Sequence, residues 1–474
     1  MSSVSALNSL LGSSGTYDLS QILEAATGAS APGIDVSSAV SASITAAEAP
    51  ETNWENEQTT LQNQSSALTS LQTDATNLDD DMQSLNSLTG PLSAATVTSS
   101  NSGIVTASAA AGSAVGNNVV VVNSLATTAS YSSTAVSSAT ADLPTGETIT
   151  ITPPTGAAAT YTTGSNGINT LNDLENAINT AGLGVTASII TDATGSRLAL
   201  TSDTPGAAGS FTATATGGGF GFEAGGTGAN ASITVNGITV RSASNTVTGA
   251  IPGVTLNLQS ASPGTEVSLD VAPNISQASS AINQFVSDYN TLVGAINSQY
   301  ADSGSGQGVL SDDPTVENLQ NTLLQAMDYT ASPASGNSST TVPNLSSLGI
   351  TMNTNGTLSV DSSTLSNALQ NNFGDVQNFF QGSALNGFAN AMDQQLTNFT
   401  SPSDGAFTVD LQSISTENTS LQSDISNFQA NVIAPLKVQL TSEYSAAEIA
   451  LQQLPAELKD VDEELGQNNN SSGG

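Results

Sequence analysis

The stretch from Phe407 to Leu465 carries an apolar repeat that constrains the fold more than any other feature. From Leu411 the apolar positions alternate at spacings of three and four, and polar Asn418 fills one position. This spacing puts them on one stripe of a helix and is typical of a coiled coil or bundle. The stripe is too long to be buried by its own helix, so we expect a partner. It consists of Leu411, Ile414, Leu421, Ile425, Phe428 and Val432.

A second repeat of the same kind follows Trp54, near the other end of the chain, and Gly90–Pro91 predicts where its helix stops. Two apolar seams at opposite ends predict a stalk formed by both termini, with the residues between them inserted as a head. Two ordinary core helices of a globular domain are the alternative. The N-terminal seam consists of Leu61, Leu68, Leu71, Leu78, Met82 and Leu85, with Gln64 in one position.

The C-terminal repeat is interrupted after Val432, where the spacing lengthens to fours beside Pro435. A proline inside a helix removes a hydrogen bond and clashes with the preceding turn, so we expect a kink there. The three-four spacing then resumes and forms a last apolar row. That row consists of Leu451, Leu454, Leu458, Val461 and Leu465.

Charge excludes several classes of function. Of 474 residues only 4 are basic and 40 are acidic, which gives a net charge of -36. Phosphate and anionic lipid surfaces are bound by clustered lysine and arginine, so we expect no nucleic-acid partner and no binding to anionic membranes. No apolar run approaches the roughly 18 residues of a membrane-spanning helix, so we also expect no membrane insertion.

Neither cysteine nor histidine occurs in the chain. Disulfides, thiolate chemistry, an imidazole base and an ordinary zinc site are therefore excluded, and we expect no metal and no cofactor. The first 33 residues lack the basic and continuous apolar regions of a cleaved secretory signal. We expect either a cytosolic protein or one exported by a route that needs no cleaved signal.

An enzyme built from these residues would depend on paired carboxylates or on an activated serine or threonine. Asp79–Asp81 is the densest acidic cluster, but such runs usually form a solvated helix face. Asp312 and Asp313 precede Pro314 and predict a helix cap. We predict no catalytic residue, and a carboxylate-based glycosidase is the enzyme alternative.

Between the two seams the sequence changes to short segments of period two, which predict a β-rich head from Thr96 to Val271 with one helix inside it. Hairpins are expected at Asp192–Gly195 and at Asn236–Gly237. Helical periodicity resumes at Asn274. The fold class is therefore α+β and multidomain. The predicted parts are terminal leg segments 1–50 and 440–474, a helical bundle 51–95 and 274–439, an outer β-rich domain 96–141 and 229–273, and an inner inserted domain 142–228.

The order of several strings resembles the flagellar hook-associated protein 2 family of filament-capping proteins, over nearly the whole chain. Members of that family carry more lysine and arginine in their helices, where this chain has Gln, Ser and Asn. The matching strings are Gly33–Val36, Ala47–Pro50, Leu171–Asn179, Gly184–Ser188, Arg197–Ser202, Ile233–Ile238, Gly253–Leu258, Ile282–Leu292 and Leu345–Ile350.

The resemblance implies an extracellular structural protein at the distal tip of the flagellum, exported unfolded without a cleaved signal. It implies a homo-oligomeric cap of five or six subunits that helps flagellin fold and insert, with hook–filament junction proteins as further neighbours. It also implies a cytoplasmic export chaperone bound near the C-terminus, where the row from Leu451 to Leu465 would bind the chaperone first and the filament later. A surface adhesin or another hook–filament junction protein is the alternative.

Overall fold

The computed structural model describes residues 35–301, 306–333 and 340–470, apart from the side chains of residues 454, 455, 458 and 461–470. Most of the predicted leg segment 1–50 lies outside this description. The chain forms two compact units. The first contains the residues up to Thr76, then Gly294–Asn321, and the chain from Thr397; the second contains Asn77–Val293 and Thr322–Leu396. Helices towards both ends of the chain and strands in its middle confirm the predicted α+β class.

Several helices begin at capping residues that the sequence offers. The Asp35 carboxylate accepts a hydrogen bond from the Ser38 N–H, and Asp313 accepts from Thr315 just after the chain enters a helix at Pro314. The helices are α1 (Val36–Ala47), α2 (Ala49–Asn86), α3 (Leu171–Ala181), α4 (Ile275–Tyr300), α5 (Pro314–Ala326), α6 (Ser362–Asn371), α7 (Phe373–Gln381), α8 (Phe388–Thr400), α9 (Ala406–Phe428) and α10 (Ala434–Asn470).

The strands are short and pair antiparallel, and all of them lie in the second unit. They are β1 (Ala95–Ser99), β2 (Val105–Ala109), β3 (Gly116–Ser124), β4 (Ser130–Ser133), β5 (Thr148–Thr152), β6 (Ala159–Thr162), β7 (Val185–Asp192), β8 (Gly195–Ser202), β9 (Thr212–Thr216), β10 (Phe222–Gly226), β11 (Ala231–Val235), β12 (Ile238–Ser242), β13 (Thr246–Ile251), β14 (Val254–Leu258), β15 (Val267–Pro273), β16 (Ile350–Met352) and β17 (Leu358–Val360).

Two sheets share the outer apolar core. One has the order β1-β15-β3-β11-β12 and the other the order β13-β14-β2. Alternate residues of these strands point into one cluster, in which Val120, Leu256 and Leu269 are fully buried. Some neighbouring strands of these sheets are distant in sequence: β3 lies between β15 and β11, both of which follow the inserted residues in the chain.

A second apolar core belongs to the inserted residues. The sheets β10-β4-β8-β7 and β6-β5-β9 enclose it together with α3, which contributes Leu171, Leu174 and Ile178. The insert is pinned where it begins and ends, because Thr127 and Ala229 exchange backbone hydrogen bonds of 2.9 and 3.2 Å. The prediction began this module at Asp142. That boundary is too late, since β4 pairs with both β8 and β10.

The tight turns follow the sequence closely. Asn236 and Gly237 both have positive φ, of 49° and 83°, as a type I′ turn requires, and Val235 pairs with Ile238 across it. The predicted hairpin at Asp192–Gly195 is likewise confirmed by the register of β7 and β8. Register in these strands matters because a slip of one residue would turn every buried side chain to solvent.

Aromatic rings form the helical core of the second unit. Phe379 and Phe388 stack with centroids 5.3 Å apart, and Phe285, Phe380 and Tyr329 meet the Phe388 ring nearly edge to face. All except Tyr329 are fully buried. These rings join α4, α7 and α8 into one packed group, so the helices after the β-rich region are anchored by aromatic contacts rather than by charge.

Candidate functional site

The first unit brings the two ends of the chain together as antiparallel helices. Side-chain hydrogen bonds join α2 to α9 and to the turn that follows it. Along α2 the bonded residues are seven and then fourteen positions apart, and their partners decrease in residue number by the same steps, which is the heptad repeat of a coiled coil. The joining hydrogen bonds run from Gln429 Nε2 to Glu51 Oε2, from Gln58 Nε2 to Gln422 Oε1 over 3.1 Å, and from Gln72 Nε2 to Thr408 Oγ1 over 3.4 Å.

An apolar seam lies beside these polar pairs. The rings of Trp54 and Phe428 meet edge to face, with centroids 5.4 Å apart. Apolar surface removed from water stabilises such a pair by about 25 cal/mol per Å². Of the predicted seam, the structure buries Leu61, Leu68 and Leu71 on α2, buries Leu421, Ile425 and Phe428 on α9, and leaves Leu411, Ile414 and Val432 half-buried.

The rest of the predicted N-terminal seam lies elsewhere. Leu78, Met82 and Leu85 belong to the second unit, where they are fully buried. The partner of Gln72 is Thr408, and α9 begins only two residues before it, at Ala406. In this register α9 is therefore too short to pack against the α2 residues that follow Gln72 by more than a few positions. The seam between the chain ends is therefore shorter than predicted. Periodicity marked these leucines as buried without saying which helix buries them.

The interruption expected beside Pro435 is a turn of π-helix at Gln429–Ile433, which joins α9 to α10 without a break. The Ala434 N–H bonds to the Gln429 carbonyl, five residues back instead of four. One extra residue in a turn shifts the buried face by one position. Ile433 is consequently 4% exposed, whereas the predicted seam residue Val432 is only half-buried.

Helix α1 packs against α10 beyond this turn. Val40 and Ile44 of α1 form a small apolar cluster with Phe428 and Ile433, to which Trp54, Leu436, Leu440 and Tyr444 add partly buried surface. The Ser43 hydroxyl lies 3.3 Å from the Tyr444 hydroxyl. Sequence reasoning found only a hint of α1, because its apolar residues are few and its neighbours are serine and alanine.

The predicted partner-binding row continues the face of α10 that α1 covers. Leu451 follows Tyr444 by one heptad and is 42% exposed. The side chains of Leu454, Leu458, Val461 and Leu465 lie outside the described residues, although the backbone is helical through all four. Val438 and Ile449, which are 72% and 56% exposed, lie away from this row around the helix.

Among the acidic residues that the structure describes, Asp81 has a strongly raised pKa. Burial, and after it the neighbouring Asp288 and Asp80 carboxyls, together raise this pKa to about 7. Such a group can hold a proton near neutrality, as a general acid does. It pairs α2 with α4 inside the second unit, and carboxyl pairs of this kind also occur in purely structural helix contacts. The described residues contain no group of three or more acidic side chains placed to hold a metal ion.

Within the part of the chain that the structure describes, no helix combines the length and the hydropathy that a membrane crossing requires.

Comparison with known protein families accounts for this arrangement. The family model described as flagellar hook-associated protein 2 N-terminus matches residues 32–129, and the model of the C-terminus of the same protein matches residues 228–456. The flagellin hook IN motif matches residues 148–204, within the inserted module.

Relatives and a solved structure agree with these matches. The B-type flagellar hook-associated protein 2 of Pseudomonas aeruginosa is 29% identical over 78% of this chain and 83% of its own length. The lateral flagellar hook-associated protein 2 of Vibrio parahaemolyticus is 27% identical over 36% of this chain and 37% of its own length. The crystal structure of the flagellar cap protein FliD D1-D2-D3 domains from Escherichia coli superimposes with a TM-score of 0.60 at 24% identity, over 74% of this chain and 99% of that one, and so shows a shared fold.

Fold, paired chain ends and inserted β-rich modules together define a structural protein of the bacterial flagellum. More specifically, the chain belongs to the flagellar hook-associated protein 2 family, whose two terminal models match the greater part of it. The resemblance that the sequence strings suggested is thereby confirmed.

Proposed function

We propose that this protein caps the distal end of the bacterial flagellar filament as a structural subunit and catalyses no reaction. The observation that carries the proposal is the pairing of the two chain ends through α2, α9 and α10, with Leu451 exposed at the start of the predicted partner-binding row. The names of its relatives, flagellar hook-associated protein 2, support the same role.

In the proposed cap, copies of the chain assemble with one another and stand on the filament end. Within each subunit the leg is held together by apolar seams and by amide pairs such as Gln58 with Gln422, and its contacts with the filament are proposed to be of the same apolar and uncharged kind. With only 4 basic residues, salt bridges contribute little, so contacts release at a cost set mainly by buried apolar area. Weak contacts of this kind allow the cap to step as each flagellin subunit folds and inserts beneath it.

Before it reaches the filament, the protein is proposed to leave the cell unfolded, without a cleaved signal, in the company of a cytoplasmic chaperone. The seam residues Leu61, Leu68, Leu71, Leu421, Ile425 and Phe428 would then close on each other after export. The row from Leu451 to Leu465 would be occupied by the chaperone before export and by the filament, with the hook–filament junction proteins as its first neighbours, afterwards. Absence of cysteine suits such a route, since no cross-link can form on the way.

Deletion of the gene in its own bacterium tests the proposal. We expect short or absent filaments and flagellin shed into the medium, both restored when the wild-type gene is supplied. As a matched control, a gene carrying Val409→Ser, a change at a residue of α9 that is 55% exposed and outside the seam, should restore filaments equally well. Filaments of normal length, with loss of surface attachment alone, would instead favour an adhesin.

A further inference from the structure

The five-residue turn at Gln429–Ile433 decides which face of α10 meets α1. Counting in α-helical steps from Phe428, the buried face would pass through Val432 and then continue through Pro435, Gln439 and Glu443, which are polar or unable to donate a hydrogen bond. The extra residue moves the face on by one position, so that it continues instead through Ile433, Leu436, Leu440 and Tyr444, the residues that pack with α1.

Without α1 the turn has little to hold it. A π turn replaces the regular hydrogen bonds of an α-helix by a rarer arrangement. Here the π turn is stabilised by the apolar surface that Val40 and Ile44 bury against α10. Pro435 has no N–H and would leave the Asn431 carbonyl without its α-helical donor, so straightening regains fewer hydrogen bonds than usual. The two forms therefore differ by a small free energy that one docking event can reverse.

The π turn lies opposite a second interruption, between α1 and α2. Helices α1 and α2 are separated at Glu48, and Glu51, the first α2 residue of the heptad register, accepts a hydrogen bond from Gln429 inside the π turn. Glu51 is 9% exposed, which makes this a sheltered contact. The α2–α9 pair can thus stay in register while α1 docks or leaves.

We infer that the turn at Gln429–Ile433 is a phase switch in the C-terminal helix. With α1 docked, the helix keeps the extra residue and presents Leu436, Leu440 and Tyr444 to α1. With α1 released, the turn returns to α-helix, and α10 rotates relative to α9 by about 100°, the angle of one residue. Docking of α1 then sets the direction in which the row beginning at Leu451 points.

Spin-label distances in the full-length protein test the switch. The chain has no cysteine, so cysteines introduced at exposed sites take the labels alone. One label is placed at Glu57 on α2 and the other at either Val438 or Thr441 on α10. These two sites face different directions, so a rotation of α10 changes the two distances differently. A variant lacking Val432 supplies a regular α-helix that keeps the wild-type direction of α10, because the deletion removes the extra residue.

Releasing α1 by Val40→Asp together with Ile44→Asp should shift both distances away from the wild-type values, whereas the same two changes in the variant lacking Val432 should leave the distances unchanged. Ala42→Asp, on the exposed face of α1, should leave them at wild-type values. Pro435→Ala should also keep wild-type distances, because α1 rather than the proline holds the turn. Hydrogen exchange of the α1 amides reports whether α1 has been released.

Three results would overturn the inference. The first is wild-type distances in the Val40→Asp, Ile44→Asp variant when its α1 amides exchange freely. The second is continued protection of α1 in that variant, since the apolar cluster would then not be what docks it. The third is a shift of both distances away from the wild-type values in Pro435→Ala, which leaves the cluster intact, since the turn would then be a response to proline alone.

Discussion

Trp54 and Phe428, from opposite ends of the chain, meet edge to face with their ring centroids 5.4 Å apart. They lie within the heptad register of α2 with α9, between the pairs formed by Glu51 and by Gln58, and both rings also belong to the cluster in which α1 docks on α10. This ring pair therefore connects the α2–α9 helix pair with the α1–α10 cluster. Its strength bears directly on whether the two chain ends act as one element.

Truncating Phe428 to alanine should destabilise the first unit by about 3–5 kcal/mol, since the ring is 7% exposed and leaves a cavity. Combining it with Trp54→Ala should cost less than the sum of the single changes, by about 0.5–1.5 kcal/mol of ring–ring coupling. Urea unfolding followed by circular dichroism measures all four proteins. Val409→Ala, at an exposed residue of α9, serves as the control and should change stability little. Strict additivity would mean that the rings do not stabilise each other.

Polar substitution in the predicted partner-binding row from Leu451 to Leu465 should abolish binding of the export chaperone while the head stays folded. The variant carries Leu451→Ser, Leu454→Ser and Leu458→Ser, and a pull-down with the chaperone measures retention. Its matched control carries Val438→Ser and Ile449→Ser, which remove exposed apolar side chains from another part of the same helix. Equal retention of both variants would show that the row is not the binding surface.

Stability of the second unit should fall as pH rises from about 4 through 7. The reason is the pKa of Asp81, which burial and the neighbouring Asp288 raise from 3.8 to about 7. In that interval the folded state holds a proton that the unfolded state has lost, so unfolding becomes easier as the proton is removed. Replacing Asp81 by asparagine should flatten this slope and stabilise the protein at pH 8. Asp312→Asn, at an exposed residue, should leave the slope intact; an unchanged slope in both variants would contradict the assignment.

The cap of α6 predicts the opposite dependence at low pH. Hydroxyl and backbone hydrogen bonds from Ser363 and Thr364 lower the pKa of Asp361 from 3.8 to about 2. The stabilisation is complete above pH 4 and is lost as pH falls towards 2, because the carboxylate then takes up a proton and can no longer accept these bonds as an anion. In Asp361→Asn the melting temperature should lose this acid-dependent component, which thermal unfolding between pH 2 and 5 would reveal. A wild-type profile in the variant would place the acid sensitivity at another carboxyl.

Local features were the most predictable from sequence. The hairpin at Asn236–Gly237 follows from two residues that tolerate positive φ, and the start of α5 follows from an acidic residue before Pro314. Each is decided by chemistry within a few residues. Burial of Leu68, Leu421 and Ile425 was equally readable, because a stripe of that length has to be covered.

Features that depend on distant partners were harder to predict. Strand β4 reads Ser-Tyr-Ser-Ser, which carries little strand signal and is held by its neighbours β8 and β10. The change of phase between Val432 and Ile433 was also missed, since spacing in fours fits both a kinked helix and one with an extra residue in a turn. The docking of α1 is what distinguishes them, and a weakly apolar segment gives no sign of where it docks.

The β-bridge between Thr127 and Ala229 has a consequence for how the sequences of such proteins diversify. Where two strands leave a fold side by side, a few ångströms apart, everything beyond them can be removed, lengthened or exchanged without moving the residues that remain. The module from Ala129 to Phe222 has its own apolar core and is thus an exchangeable insert. Its surface is free to vary with the surroundings of the cell while the shared frame is preserved.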